Sequence, residues 1–220
     1  MIDQMLPPAV AAAESFGDPP DARLFPEERA ALGEAGAARR REYTTVRHCA
    51  RRAIGALGLP PVPILPGVRG APRWPDGVVG SMTHCAGYRA AVVARDSAVR
   101  TLGIDAEPHE PLPDGVLGFV GLPEERARVA RLSRLEPRVC WDRLLFCTKE
   151  AVYKAWFPVT GSWLGFDGAR VSLRSDGTFH ARVLVAPPAE HPTAPRDFTG
   201  RWLAREGLVV ACVVVPASAP

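Results

Sequence analysis

Phe25-Pro26-Glu27-Glu28-Arg29-Ala30 returns 97 residues later as Leu122-Pro123-Glu124-Glu125-Arg126-Ala127. Each copy precedes a stretch of helical periodicity and then segments of strand character. Proline followed by acids is a common helix start. Its missing N–H is one the first turn leaves unbonded, and the acids face the positive end of the helix dipole. Two similar helix starts would account for the echo. So would a duplicated unit of about 100 residues, giving two pseudo-equivalent halves with a cleft between them.

Working outward, residues 34–57 are expected to be helical. Val46, Cys49, Ala50, Ala53, Ile54 and Leu57 recur at helical spacing, and Gly58 with Pro60-Pro61 closes the segment. Arg40, Arg47 and Arg51 fall on one stripe of that helix. A second helix is expected over 123–134. A third runs from about Pro137 to Trp156, with Trp141, Leu144, Leu145, Val152 and Trp156 as its apolar face. Strands are expected at 77–84, 169–173, 179–185, 198–205 and 208–215. Residues 90–94 and 99–104 read as a hairpin joined by Arg95-Asp96-Ser97. Residues 1–20, rich in Ala and Pro, read as a loosely attached arm. The expected fold class is α+β.

The 220 residues hold two lysines, Lys149 and Lys154, against 25 arginines, and no asparagine. Such a bias makes an arginine less informative than usual and a lysine more so. A hydrophobic fraction of 47% excludes a disordered chain. A chain of this length buries about 70% of the surface it exposes when unfolded, enough for one large core or two small ones. No apolar run is long enough to cross a membrane. The first residues lack a basic stretch followed by an apolar one, so no signal peptide is expected. Five cysteines without a C-x-x-C argue against a disulfide framework and a cysteine-rich zinc site, and a cytoplasmic protein is expected. A net charge of +3 suits anionic partners but is too small to indicate nucleic acid.

Two clusters carry possible chemistry. Asp105 and Glu107 end the apolar stretch Leu102-Gly103-Ile104, and strand residues two apart share a face. Such a pair repels unless a cation lies between, and open oxygen donors suit Mg²⁺, which takes further ligands from phosphate. A solvated strand end would look the same. Glu150 and Lys154 stand one turn apart on the long helix, the spacing of an ordinary surface ion pair. The apolar residues around them, Phe146, Ala151 and Val152, argue that they face a cleft instead. Thr83-His84 closes another strand. Together, three carboxylates for a divalent metal, with Lys154, His84 and helix arginines for phosphate oxygens, are equipment for polyphosphate chemistry. A Mg²⁺-dependent phosphohydrolase would use the same set with water as nucleophile.

Leu102-Gly103-Ile104-Asp105-Ala106-Glu107 followed by Phe146-Cys147-Thr148-Lys149-Glu150-Ala151-Val152-Tyr153-Lys154 resembles the paired signature of 4′-phosphopantetheinyl transferases, G-[IV]-D-x-E then F-[SCT]-x-K-E-[AS]-x-x-K. Gly80-Ser81-Met82-Thr83-His84-Cys85 is similar to that family's [NG]-[LM]-[ST]-H turn. Residues 39–50 and the 63–70 loop resemble the enterobactin-type, actinobacterial branch of the Sfp-type group. The resemblance implies two stacked α/β halves with the active site in the cleft between them, divided as 1–101 and 102–220. It also implies transfer of the phosphopantetheine arm of coenzyme A to a serine of an apo acyl or peptidyl carrier protein, with Mg²⁺ bound and 3′,5′-ADP released. Under it, Asp105, Glu107 and Glu150 match metal-binding carboxylates, and Glu150 also matches a base. Lys154 matches the lysine at the pyrophosphate, and Asp105, Glu150 and Lys154 form the catalytic set. His84 with Thr83 matches a phosphate contact, and Arg39 and Arg47 match holders of the 3′-phosphate. Arg69 is the one cation in the 63–70 loop, where the branch often has lysine at the position of Pro66. Arg128, Arg131 and Arg134 are candidates for a basic rim facing the carrier. A monomer without nucleic-acid or membrane partners is expected.

Overall fold

The computed structural model describes residues 1–217. The chain divides into two compact units, one of residues 1–102 with 216–217, the other Gly103–Val215.

The first unit contains strand β1 (Val10–Phe16), a short helix α1 (Pro26–Leu32), the long helix α2 (Ala37–Ala56), and strands β2 (Val78–Cys85) and β3 (Tyr88–Arg95). The strands form an antiparallel sheet in the order β1-β3-β2. Helix α2 lays Cys49, Ala50, Ala53 and Ile54 on Ala13, Ala91 and Val93 of that sheet. These are small residues at helical spacing, and they let helix and sheet approach closely.

Two expectations fail here. Residues 1–20 are not a loose arm, because Val10–Phe16 pairs with β3 along its whole length. The stretch Val-Ala-Ala-Ala-Glu-Ser-Phe has weak strand propensity, and its partner's unpaired backbone edge makes it a strand. Nor does 90–94 form a hairpin with 99–104. β3 turns back on β2 through Ala86-Gly87, where Gly87 has φ 75°, and the next strand joins another sheet.

That strand is β4 (Val99–Pro108). It is followed by helices α3 (Val116–Val120), α4 (Pro123–Leu135) and α5 (Trp141–Thr160), then β5 (Ala169–Leu173), β6 (Thr178–Val183), β7 (Asp197–Arg205) and β8 (Leu208–Pro216). The five strands lie in the order β4-β8-β7-β6-β5. α5 runs past Trp156 and through Pro158 to Thr160. Its apolar face, Trp141, Leu144, Leu145, Val152 and Trp156, is fully buried with Phe179, Phe198 and Val209 of the sheet.

Gly103 governs how β4 meets α5. A Cβ there would lie 2.0 Å from the Ala151 carbonyl oxygen and 2.7 Å from the Ala155 nitrogen. Only glycine lets the strand touch the helix backbone at this point. The contact sets Asp105, two residues on, beside the α5 side chains.

The repeated stretch starts α1 and α4. Glu28 accepts from the Phe25 N–H at 3.0 Å, and Glu125 from the Leu122 N–H at 2.7 Å. Helix-start chemistry requires that much. It does not require what each carboxylate does next. Glu28 also accepts from Ile64 N–H (2.8 Å) and pairs with Arg51 of α2, and Glu125 accepts from Val171 N–H (2.6 Å) and pairs with Lys149 of α5. The same long-range partners in both copies favour the duplicated-unit reading of the echo.

Candidate active site

α5 presents Arg143, Cys147, Glu150 and Lys154 at i, i+4, i+7 and i+11, a single stripe. β4 presents Asp105 and Glu107 on one face. Lys154 Nζ sits 2.7 Å from Asp105 Oδ1, an ion pair across to the strand, and Glu150 a turn away adds to the field that favours its charge. Arg143 Nη1 donates to Glu107 Oε2 at 3.1 Å, and its remaining nitrogens donate to the Glu110 and Pro111 carbonyls. Cys147 Sγ lies 3.2 Å from the Asp105 carbonyl oxygen. Arg143 went unrecognised in the sequence, although its place on the stripe of Glu150 and Lys154 was a usable signal.

The electrostatics follow from this crowding. Burial raises the Glu107 carboxyl above its ordinary range, Asp105 adds to the rise, and Arg143 opposes it. Burial likewise raises Glu150, helped by Asp105 and opposed by Lys154. For Lys154, burial acts against the charge, but Asp105 and Glu150 outweigh it and hold the ammonium above its usual pKa. Three carboxylates therefore share one field, with Lys154 and Arg143 as the cations nearest them. All the donors are hard oxygens, the chemistry Mg²⁺ selects. Among the described residues no three His, Cys, Asp or Glu side chains are gathered into a metal cluster.

Beside Glu150 opens a cavity of about 70 Å³, lined by Lys149, Tyr153, Trp163, Leu164 and Phe166 among others. Trp163 packs edge-on against Tyr153 (5.0 Å), and Phe166 leans on Phe146 (5.6 Å). The cavity is mostly apolar, with Lys149 and Glu150 among its lining, and no sequence motif marks its aromatic wall.

The first unit holds a different group. Arg39 Nη1 and His84 Nε2 are 3.2 Å apart, and Glu42 Oε2 lies 3.5 Å from the histidine and 3.8 Å from the arginine. The structure thus brings Arg39 and His84 together, 45 residues apart in sequence, with Glu42 as an unforeseen third member. Thr83 is buried and, as the preceding strand residue, points to the other face of β2 from His84. Arg47 is buried too. Its Nε donates to the Ile64 carbonyl at 2.9 Å, and its guanidinium lies 3.1 Å from the centre of the Tyr43 ring. Burial pulls its pKa down to about 10. No carboxylate is within ion-pair distance of Arg47 among the described residues, and Glu28 favours its charge only from beyond that distance.

The stripe of Arg40, Arg47 and Arg51 divides in three. Arg40 is exposed, Arg47 is buried on Tyr43, and Arg51 is committed to Glu28. Arg69 stands at the tip of a tight loop closed by the Pro66–Pro72 bridge and a Gly67-to-Ala71 hydrogen bond, with its own φ at 53°. Arg128 donates to the Leu173 carbonyl, while Arg131 and Arg134 are exposed on α4.

The sequence profile of the 4′-phosphopantetheinyl transferase N-terminal domain matches residues 27–94, and that of the 4′-phosphopantetheinyl transferase superfamily matches residues 101–212. The chain belongs to the 4′-phosphopantetheinyl transferases. It is 54% identical to the 4′-phosphopantetheinyl transferase Svp of Streptomyces mobaraensis, over 100% of this chain and 91% of that protein. It is 47% identical to the 4′-phosphopantetheinyl transferase PptT of Mycobacterium tuberculosis, over 98% of each. A more distant similarity, 29% over 83% of this chain and 74% of the other, is to enterobactin synthase component D of Salmonella typhimurium. The phosphopantetheinyl transferase superfamily match includes the whole β4–α5 cluster, and the N-terminal match includes Arg39, Arg47, Arg69 and His84. All five cysteines of this transferase are free thiols, and no described helix is long and apolar enough to cross a membrane.

Proposed function

We propose that this phosphopantetheinyl transferase moves the 4′-phosphopantetheine arm of coenzyme A to a serine hydroxyl of an apo acyl or peptidyl carrier protein. The serine oxygen forms a bond to the phosphorus next to the arm. The bond from that phosphorus to the bridging oxygen breaks, and 3′,5′-ADP leaves with the electron pair. The observation that carries this reading is the Asp105–Lys154 pair set among Glu107, Glu150 and Arg143 beside an apolar cavity.

Each residue has work that suits its surroundings. A serine hydroxyl is a poor nucleophile at neutral pH and needs a base within reach. Glu150, a half-buried carboxylate beside the cavity and one turn from Lys154, is assigned that role. Lys154 is a compact cation for the charge that gathers on the leaving phosphate. Asp105 holds Lys154 in position, and Arg143 does the same for Glu107. Asp105, Glu107 and Glu150 are the hard oxygen donors that would hold Mg²⁺, although the three are not gathered into a cluster. Bound there, the metal would neutralise charge on the pyrophosphate. Arg39, Arg47, Arg69, Thr83 and His84 are assigned to the nucleotide phosphates. Arg47, fixed on Tyr43 with no carboxylate in ion-pair contact among the described residues, is assigned to the 3′-phosphate. The cavity beside Glu150 is assigned to the arm of the donor, with Lys149 and Glu150 among its otherwise mostly apolar lining. Arg131 and Arg134 offer positive charge to an acidic carrier surface. A cytoplasmic monomer completes the reading.

The test is a mass-shift assay with coenzyme A, Mg²⁺ and a panel of apo carrier domains. Gain of one phosphopantetheine per carrier is expected, and none when the metal is chelated. Release of 3′,5′-ADP from coenzyme A without a carrier would replace transfer by phosphohydrolysis.

A further inference from the structure

Lys149 is a buried charged group that this chemistry leaves unused. Its side chain is 2% exposed. An ammonium has three protons, and Lys149 Nζ has three acceptors: Glu125 Oε2 at 2.7 Å, the Phe166 carbonyl at 2.6 Å and the Ala169 carbonyl at 3.0 Å. Glu125 is itself held by the Leu122 and Val171 N–H groups. The ammonium therefore joins α5, the start of α4 and both ends of the turn that enters β5. Phe166 is part of the wall of the cavity, and the residue after Lys149 is Glu150.

We infer that Lys149 is a positioning residue for the donor's arm: its ammonium fixes the Trp163–Phe166 wall at a set distance from Glu150. This rests on the proposed transfer reaction. Without the ammonium, two buried carbonyls lose a charge-assisted hydrogen bond and Glu125 keeps an uncompensated charge. Relief comes by moving the segment that carries the wall, since residues 161–165 belong to no helix or strand and reach β5 through the single 3-10 turn Phe166–Gly168. Lys149 touches neither phosphate nor nucleoside in this scheme, so its loss falls on the part of the donor that lies in the cavity.

The test compares binding of coenzyme A with that of 3′,5′-ADP, which lacks the arm, to the full chain by calorimetry. If the wild-type chain binds neither, the proposed reaction fails and the inference fails with it. If it binds both, Lys149→Met is expected to weaken coenzyme A about tenfold, the scale of losing hydrogen bonds to a charged group. It is expected to change 3′,5′-ADP by less than about twofold, within the usual effect of a substitution that touches no part of the ligand. Equal weakening of both ligands, or no change in either, overturns the inference. If circular dichroism shows that Lys149→Met does not fold, Glu125→Gln is read by the same criterion, because it keeps the shape and removes the charge that anchors the ammonium. Arg51→Met removes the matching cation of the first unit. If it discriminates between the two ligands in the same way, the effect is general loosening and the inference falls.

Discussion

Glu28 and Glu125 occupy the same place in two copies of one short stretch, and each braces its unit. Both cap their own helix, accept a distant backbone N–H and take a cation from a 20-residue helix. The cation differs. Arg51 spreads two contacts over both oxygens of Glu28, reaches the Arg23 carbonyl, and lies 5.2 Å from the Phe25 ring. Lys149 gathers three acceptors about one nitrogen. A planar fork suits a partner at the edge of the structure, and a point charge suits three acceptors converging in the interior. Their exposures agree, 12% for Arg51 and 2% for Lys149. The helices differ beyond the brace as well. α2 carries Arg39 and Arg47, which the proposed reaction assigns to binding, while α5 carries Glu150 and Lys154, which it assigns to chemistry.

The largest effect expected separates those two roles. Asp105→Ala and Glu150→Gln should each lower the turnover of carrier modification by about a thousandfold, the scale of losing a positioned acid–base group. Coenzyme A binding should fall far less. Near-normal turnover in either variant would remove the second unit's claim to the chemistry. Next comes the brace itself. Lys149→Met leaves Glu125 buried and unpaired, and should cost about 3 kcal/mol in denaturant unfolding. Arg51→Met should cost less, because water can reach the partly exposed position. Equal costs would show that exposure does not distinguish the two braces. Arg47→Ala should weaken coenzyme A about tenfold, the loss of one charge-assisted phosphate contact, while 3′-dephospho-coenzyme A changes little. Equal losses would take the 3′-phosphate from Arg47. The smallest effect is expected of Lys154→Arg, a fall of about tenfold or less in turnover as the charge moves off its compact position. Full activity would show that any cation serves there.

The site was legible in the sequence where local periodicity decides what faces what. Asp105 with Glu107, and Glu150 with Lys154, share a face by strand and helix geometry alone. Arg143 lay on the same stripe but was lost among 25 arginines. Glu42 and the aromatic wall carried no signal of their own, because their roles come from partners far along the chain. The loose arm and the wrong hairpin have a common cause. An Ala-rich strand and a strand leaving for another sheet both depend on which backbone edge is open, and composition does not report that. Helical spacing alone does not name the partner of Lys154. Lys154 lies one turn from Glu150 but pairs with Asp105, because the close approach at Gly103 brings a buried carboxylate to it.

The lysines draw the line between the two kinds of information. By itself the sequence determined that both stand on one helix next to Glu150, that the helix follows the second copy of a repeated start, and that four acidic and basic residues suited to phosphate chemistry fall within two short motifs. Those are consequences of chain connectivity and of the fixed periods of helix and strand. Only the tertiary structure decided what each lysine does. Lys149 meets Glu125, 24 residues back, and Lys154 meets Asp105, 49 residues back. A buried ammonium must find acceptors, and its acceptors lie on elements brought together by core packing.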